Sequence, residues 1–145
     1  MNKNVKIAKE LVKLAKSLVA DDVRVADKIG EEYKDFTGWI KYNGEKVYVC
    51  RATFKLEWYK EWTRIIWEDG EWCDGVWCDG IWKNGTWDDG RWIDGIWKNG
   101  TWRNGTWEDG TWEDGIWHSG TWIGGTWKHG KNQYGEEYSN SPKNW

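Results

Sequence analysis

The sequence predicts a mainly β protein: a β-solenoid built on a five-residue Trp/Gly repeat, with a small N-terminal α+β part before it and a C-terminal cap after it. Three observations lead there. Trp recurs every fifth residue from Trp62 to Trp127 without a gap. From Trp67 onward each of these Trp is followed three residues later by Gly. Asn43-Gly44 separates two β-rich runs, the strongest short-range hairpin signal. Self-similarity at a fixed period marks an architecture in which one short unit stacks on copies of itself.

The elements follow in chain order. In residues 4–20, Ile7, Leu11, Leu14 and Leu18 fall at helical spacing among Lys6, Lys9, Lys13 and Lys16, which predicts an amphipathic helix. Asp21 and Asp22 suit the N-cap of a second helix. Val25, Ile29 and Tyr33 would share its face, and Thr37-Gly38 would stop it. The runs 38–42 and 45–49 flank the Asn43-Gly44 turn, and the second run continues to Phe54. The stretch 56–66 fits no single element, because Trp58 breaks the five-residue register that Trp62 begins. The division read from the sequence is therefore 1–66, a helix and hairpin part; 67–130, the repeat; and 131–145, a cap, where Tyr134, Tyr138, Pro142 and Trp145 replace the unit. A stack needs an atypical end, because its last coil would otherwise expose backbone edges and an apolar face.

The repeat unit reads x-Trp-x-[Asp/Asn]-Gly. The predicted core is Trp67, Trp72, Trp77, Trp82, Trp87, Trp92, Trp97, Trp102, Trp107, Trp112, Trp117, Trp122 and Trp127. The predicted turns are Gly70, Gly75, Gly80, Gly85, Gly90, Gly95, Gly100, Gly105, Gly110, Gly115, Gly120, Gly125 and Gly130. Gly takes the positive φ of a corner, and Asp or Asn tolerates it better than most residues. By strand alternation the Gly two positions before each Trp shares its inward face, where a missing side chain would leave room for the indole. The alternative is a meander of very short antiparallel strands joined by the same turns. It would line all the rings on one face that the 4–20 helix is too short to cover. Each buried Trp removes about 150–250 Å² from water, and its ring N–H then needs an acceptor such as a backbone carbonyl. The variable positions repeat equally well at 15 and at 20 residues, so periodicity leaves three or four sides open.

The Gly80-Ile81-Trp82-Lys83-Asn84-Gly85 pattern resembles the pentapeptide-repeat family in its period, over 67–130. That resemblance implies a four-sided β-helix with a large apolar residue at the centre of each side. Trp82 and Gly80 would hold the central and small positions. Ile81 or Thr86 stands where the family places Asp or Asn. The same stretch is more distantly similar to the G-x-W-x-x-G core of MORN repeats, without their Tyr.

Charge and chemistry bound the function. Residues 1–66 hold 14 Lys/Arg against 10 Asp/Glu, whereas 67–131 hold 6 against 12. An acidic repeat argues against a nucleic-acid groove. Three Cys make no disulfide framework and read as reduced thiols in a cytosol-like compartment. No apolar run reaches membrane-spanning length, and the Lys-laced N-terminus does not read as a signal peptide. Cys73 and Cys78 stand on successive units but lack the convergent ligands of a metal site. His118 and His129 occupy different unit positions and read as surface substitutions. The acid pairs Asp88-Asp89, Glu108-Asp109 and Glu113-Asp114 recur because the unit recurs, with their members pointing apart. The sequence thus offers no catalytic, cofactor or metal residues. It points to a non-catalytic structural or protein-interaction module, cytoplasmic or assembled in a viral particle, with a protein partner or self-assembly. Carbohydrate binding through exposed Trp rings is the alternative. The family resemblance implies a third reading, a DNA-mimic that binds topoisomerases.

Overall fold

The computed structural model describes residues 24–25, 30 and 32–145; the helix expected over 4–20 lies outside them. Strands β1 (Arg24–Val25), β2 (Glu32–Tyr42), β3 (Glu45–Tyr59) and β4 (Trp62–Asp74) come first. They are followed by β5 (Val76–Trp77), β6 (Gly80–Trp82), β7 (Thr86–Trp87), β8 (Arg91–Trp92) and β9 (Ile96–Trp97). Next are β10 (Thr101–Trp102), β11 (Thr106–Trp107), β12 (Thr111–Trp112), β13 (Ile116–Trp117), β14 (Thr121–Trp122) and β15 (Thr126–Trp127). β16 (Gly130–Asn132), β17 (Glu137–Tyr138) and a 3-10 turn over Pro142–Asn144 end the chain. No helix among the described residues is long and apolar enough to cross a membrane.

The repeat is a parallel β-solenoid, pentapeptide-repeat-like in its five-residue sides. It has three sides, not the four that the resemblance implied. Thr86 pairs with Thr101, Ile81 with Ile96 and Thr106 with Thr121, each fifteen residues on. One face is β6, β9, β12 and β15; the second is β7, β10, β13 and β16; the third is β5, β8, β11 and β14. The fifteen-residue register fixes this number, and the corner accommodates it. A triangle turns more sharply at each vertex than a square. Here every vertex from Gly70 to Gly125 is a Gly at φ between +101° and +140°, a conformation that L side chains rarely adopt. Gly130 departs from the turn assignment: it lies in β16 and does not share that positive φ.

The indoles fill the interior as expected, all thirteen repeat rings being buried. Each is stacked on the ring fifteen residues away, as Trp82 on Trp97 at 4.7 Å and 6°. Each also meets the ring five residues away edge-to-face, as Trp92 on Trp97 at 6.0 Å and 71°. Both geometries suit the aromatic quadrupole. The result is three columns of stacked rings, interlocked edge-to-face.

Glycine acts differently from the sequence expectation. A Cβ on Gly100 would lie 2.4 Å from the Gly85 carbonyl oxygen, and one on Gly115 would lie 2.4 Å from that of Gly100. The missing side chain lets corner backbone stack on corner backbone along the axis. Room for an indole is secondary: the Trp97 ring nitrogen would stand 3.2 Å from the Gly115 Cβ. Ladder bonds run across the same contact, with Thr101 N–H donating to Gly85 C=O at 2.9 Å and Arg103 N–H to Trp87 C=O at 2.8 Å. Each Asp before a corner adds a local bond, as Asp109 Oδ1 accepting from Gly110 N–H at 2.8 Å.

The expected acceptors for the ring N–H groups exist at some positions only. Trp77, Trp92, Trp102 and Trp107 donate to the backbone carbonyl seventeen residues on, each at 3.1 Å. Trp67, Trp72, Trp82, Trp87, Trp97 and Trp112 have no partner for this group. Stacking and burial therefore offset a recurring polar cost.

The N-terminal end is closed by an antiparallel sheet. β2 and β3 form the hairpin read from the sequence, with Tyr42 paired to Glu45 and Asn43 and Gly44 at φ 48° and 78°. Positive φ at both central residues is the turn that Asn-Gly favours. The ambiguous stretch 56–66 is a second hairpin, in which Tyr59 pairs with Trp62. The second predicted helix is overturned. Arg24–Val25 and Glu32–Tyr42 are strands, and Tyr33, given to a helix face, pairs with Phe54 and stacks on its ring at 4.8 Å. Tertiary pairing of a segment rich in aromatics overrides the local helix signal.

This sheet continues the solenoid core. Tyr33, Phe54, Trp67 and Trp82 form one unbroken stack. Ile40, Val47, Val49, Leu56 and Ile65 are fully buried beside it. β5 is the edge strand of the third face. Tyr42 Oη meets that edge, donating to Val76 C=O at 2.7 Å and accepting from Cys78 N–H at 2.9 Å. A single phenol thus stands in for a missing strand, and burial pushes its pKa up. At the other end β16 pairs parallel with β13 and antiparallel with β17. Trp145 packs edge-on against Trp127 at 5.4 Å and on Tyr138 at 4.0 Å. Trp127 donates its ring N–H to Tyr138 C=O at 3.0 Å.

Candidate functional site

With the repeat indoles inside, the chemistry of the described residues lies on the outer faces and at the β3–β4 tip. The residue after each Trp points outward, and fifteen-residue stacking sorts these side chains into ladders. On the second face the ladder is Cys73, Asp88, Arg103 and His118, one per coil. Asp88 accepts from Arg103 at 3.0 Å. On the first face Lys83 donates to Glu68 at 2.8 Å, and Lys128 lies 3.9 Å from Glu113. Arg91 grips Glu108 through two nitrogens at 2.8 and 2.9 Å. Exposed pairs of this kind contribute little stability each. Their effect is to pair the acids that directly follow Trp, namely Glu68, Asp88, Glu108 and Glu113, with a base on a neighbouring coil.

The members of each acid pair do point apart. Asp88 faces Arg103 while Asp89 accepts from Gly90 N–H. Glu108 faces Arg91 while Asp109 accepts from Gly110 N–H. His129 Nδ1 lies 3.0 Å from Asp114 Oδ1. Desolvation, and next the charge of Arg103, lower the pKa of His118. Neither His joins a cysteine: Asp88 and Arg103 stand between Cys73 and His118 on their ladder.

Sequence reasoning missed the residue that gives Cys73 a neighbour. Cys50, in β3, lies with its Sγ 3.3 Å from Cys73 Sγ. Cys78, the partner considered on sequence grounds, is buried on the third face beside Tyr42. A bulge brings Cys50 into place, since the pairing of β3 with β4 slips between Cys50 and Thr53 and Arg51 takes φ 48°. Glu71 pairs directly with Cys50. Ligand atoms of Glu71, Cys73 and Asp88 all lie within 4.8 Å of one another, and all three residues are half-buried. That group lies on β4 and at the end of β7, and Cys50 of β3 adjoins it through Cys73.

Its electrostatics are strained toward neutrality. Burial, reinforced by the neighbouring Glu71 carboxylate, pushes Asp88 up to about 7 despite Arg103. The hydrogen bond from Cys73 lowers the pKa of the Cys50 thiol, and that same bond, with burial, raises Cys73. Arg51 approaches Glu71 at 3.9 Å from the rim.

The second outward feature is the tip. Beyond Leu56 on β3, where Gly30 N–H donates to Leu56 C=O at 2.9 Å, and before Ile65 on β4, the hairpin is a two-stranded ribbon among the described residues. Trp58 is 63% exposed, Trp62 44% and Tyr59 37%. Tyr59 and Trp62 share one face as a directly opposed pair. Arg64 lies over the Tyr59 ring at 4.4 Å and bonds Glu57 at 2.9 Å. Among the described residues these rings are the densest exposed aromatic group.

No protein-family model, curated protein or solved structure matches the chain. Its likeness to pentapeptide-repeat solenoids rests on the coil alone, and the function must be argued from the surface just described.

Proposed function

We propose that the chain is a non-catalytic structural and protein-interaction module, in which the solenoid is a stiff rod and the β3–β4 tip is the contact for a protein partner. One observation carries this reading: the aromatic residues are divided. The repeat indoles are sealed in a stack, where they can only support the rod, while Trp58, Tyr59 and Trp62 are held outside on a ribbon. Exposed Trp and Tyr beside an Arg are the residue types that dominate binding energy at protein interfaces. A rod with one adhesive end suits a part of a larger assembly, a viral particle among them. The neutralising pairs along the faces weigh against duplex-like charge, and burial of the repeat rings removes them as a sugar platform.

The full-length chain and its Trp58→Ser/Trp62→Ser variant serve as the test. Both are used as baits after matching their tryptophan emission and melting. The reading expects specific protein capture by the parent and loss of most of it in the variant. Equal capture by both overturns it. So does retention of the parent on a glycan array that the variant loses, which would establish the carbohydrate alternative.

A further inference from the structure

We infer that Cys50, Cys73, Glu71 and Asp88 form a binding site for a thiophilic divalent cation of the zinc class on the outer face where β3, β4 and β7 meet. The donor set is two sulfurs and two carboxylates, the mixture that selects borderline-soft ions over magnesium or calcium. Three of the four ligand atoms, those of Glu71, Cys73 and Asp88, already lie within 4.8 Å of one another, and Cys50 adjoins the group through Cys73. Two sulfurs bound to one zinc at about 2.3 Å sit about 3.8 Å apart at a tetrahedral angle, against 3.3 Å between the free thiols. The carboxylates stand within ligand range of Cys73 on either side, one from its own strand and one from the next coil. Side chains on three paired strands are held by a ladder that exists without the ion, so little ordering remains when the ion binds.

A disulfide fits less well. Cys50 is registered with Glu71 and is diagonal to Cys73. Diagonal Cα atoms across an antiparallel pair lie about 7–8 Å apart, beyond the roughly 4.4–6.8 Å of a disulfide. An ion between the sulfurs spans that gap without moving backbone. The ligand chemistry agrees: the carboxyls of Glu71 and Asp88 group with the Cys73 thiol, and the Cys50 thiol adjoins it, so a dication would bind all four in their deprotonated forms. In the repeat, Cys follows Trp only at Trp72 and Trp77, on the second and third sides, where elsewhere the residue is Lys, Arg, Glu, Asp, Ile or His.

The test uses the full chain, reduced and handled without oxygen, titrated with Co²⁺ and then Zn²⁺. The inference expects one equivalent of Co²⁺ to produce thiolate-to-metal charge-transfer absorption, which Zn²⁺ abolishes as it displaces the cobalt. Cys50→Ser should remove the band and weaken Zn²⁺ binding by about 100-fold, and Asp88→Asn should weaken it by about tenfold. Cys78→Ser should leave the band intact, which controls for thiols outside the site. Tryptophan emission reports that each variant keeps the indole stack. A reduced, folded chain that gives no charge-transfer band overturns the inference. So does a band that survives in Cys50→Ser/Cys73→Ser.

Discussion

The N-terminal sheet and the solenoid solve the same problem, closing a β core, by opposite means. β2, β3 and β4 are 11 to 15 residues long, pair antiparallel, and use bulges to bend. Their positive-φ positions include Asp35, Asn43, Arg51 and Lys60, and their core is largely aliphatic, with Ile40, Val47, Val49 and Leu56. The solenoid strands pair in parallel over two or three residues, bend only at Gly, and bury Trp throughout. In the sheet each residue answers to a different neighbour. In the solenoid each answers to its own copy fifteen residues away, so one error is repeated against the coils above and below. The solenoid should tolerate far less at its special positions than the sheet does at comparable ones.

Four measurements break or sharpen that contrast. The largest effect is expected from Trp97→Ala, which removes a ring stacked on both sides and met edge-on by two more. Denaturant unfolding should show a loss of roughly 3–5 kcal/mol, whereas Trp58→Ala at the open tip should change stability by no more than about 0.5 kcal/mol. Similar costs at both sites would remove the distinction between stack and tip.

Gly100→Ala follows. Its new Cβ meets the Gly85 carbonyl at 2.4 Å with φ at +121°, and strain plus overpacking should cost roughly 2–5 kcal/mol. Gly44→Ala, at φ +78° with nothing within 4 Å, should cost about 1–2 kcal/mol from conformation alone. Thermal melts of the two variants side by side decide whether corner stacking adds to the φ requirement.

Tyr42→Phe probes the junction. It leaves Val76 C=O and Cys78 N–H at the edge of β5 without their phenol, at about 1–3 kcal/mol. Hydrogen exchange should accelerate first at Cys78. Unchanged protection there would mean that the sheet does not secure the solenoid edge through this residue.

The smallest effect is pH-linked. The pKa of Asp88 is raised in the folded chain, to about 7, from about 3.9 when unfolded. Between those values the folded state binds more protons, so this group lowers stability as pH rises. Asp88→Asn, fixed neutral, should match the parent below about pH 4 and exceed it above about pH 7. Because the carboxylate is partly screened by solvent, the gap should be on the order of 1 kcal/mol. Melting temperatures of the metal-free proteins across that range check it; a variant less stable than its parent at pH 8 would show that the Arg103 pair outweighs burial.

The repeat itself was readable because its determinants are local and periodic. Trp at every fifth place dictated a filled interior, and Gly three residues after it dictated the bend. Asn43-Gly44 likewise dictated its own hairpin. The helix signal of Val25, Ile29 and Tyr33 misled because the partner that settles Tyr33, the ring of Phe54, is twenty-one residues away. The number of sides was invisible to a pattern that repeats equally at 15 and 20 residues; only hydrogen-bond register between distant coils selects the triangle. The thiol–carboxylate group was equally hidden. Cys50 lies outside the repeat, and a bulge in one hairpin, with the pairing of three strands, places it against Cys73. Composition and period therefore determined what fills and bends the chain, while tertiary pairing decided which distant residues meet, because contact between strands depends on register that no local sequence encodes.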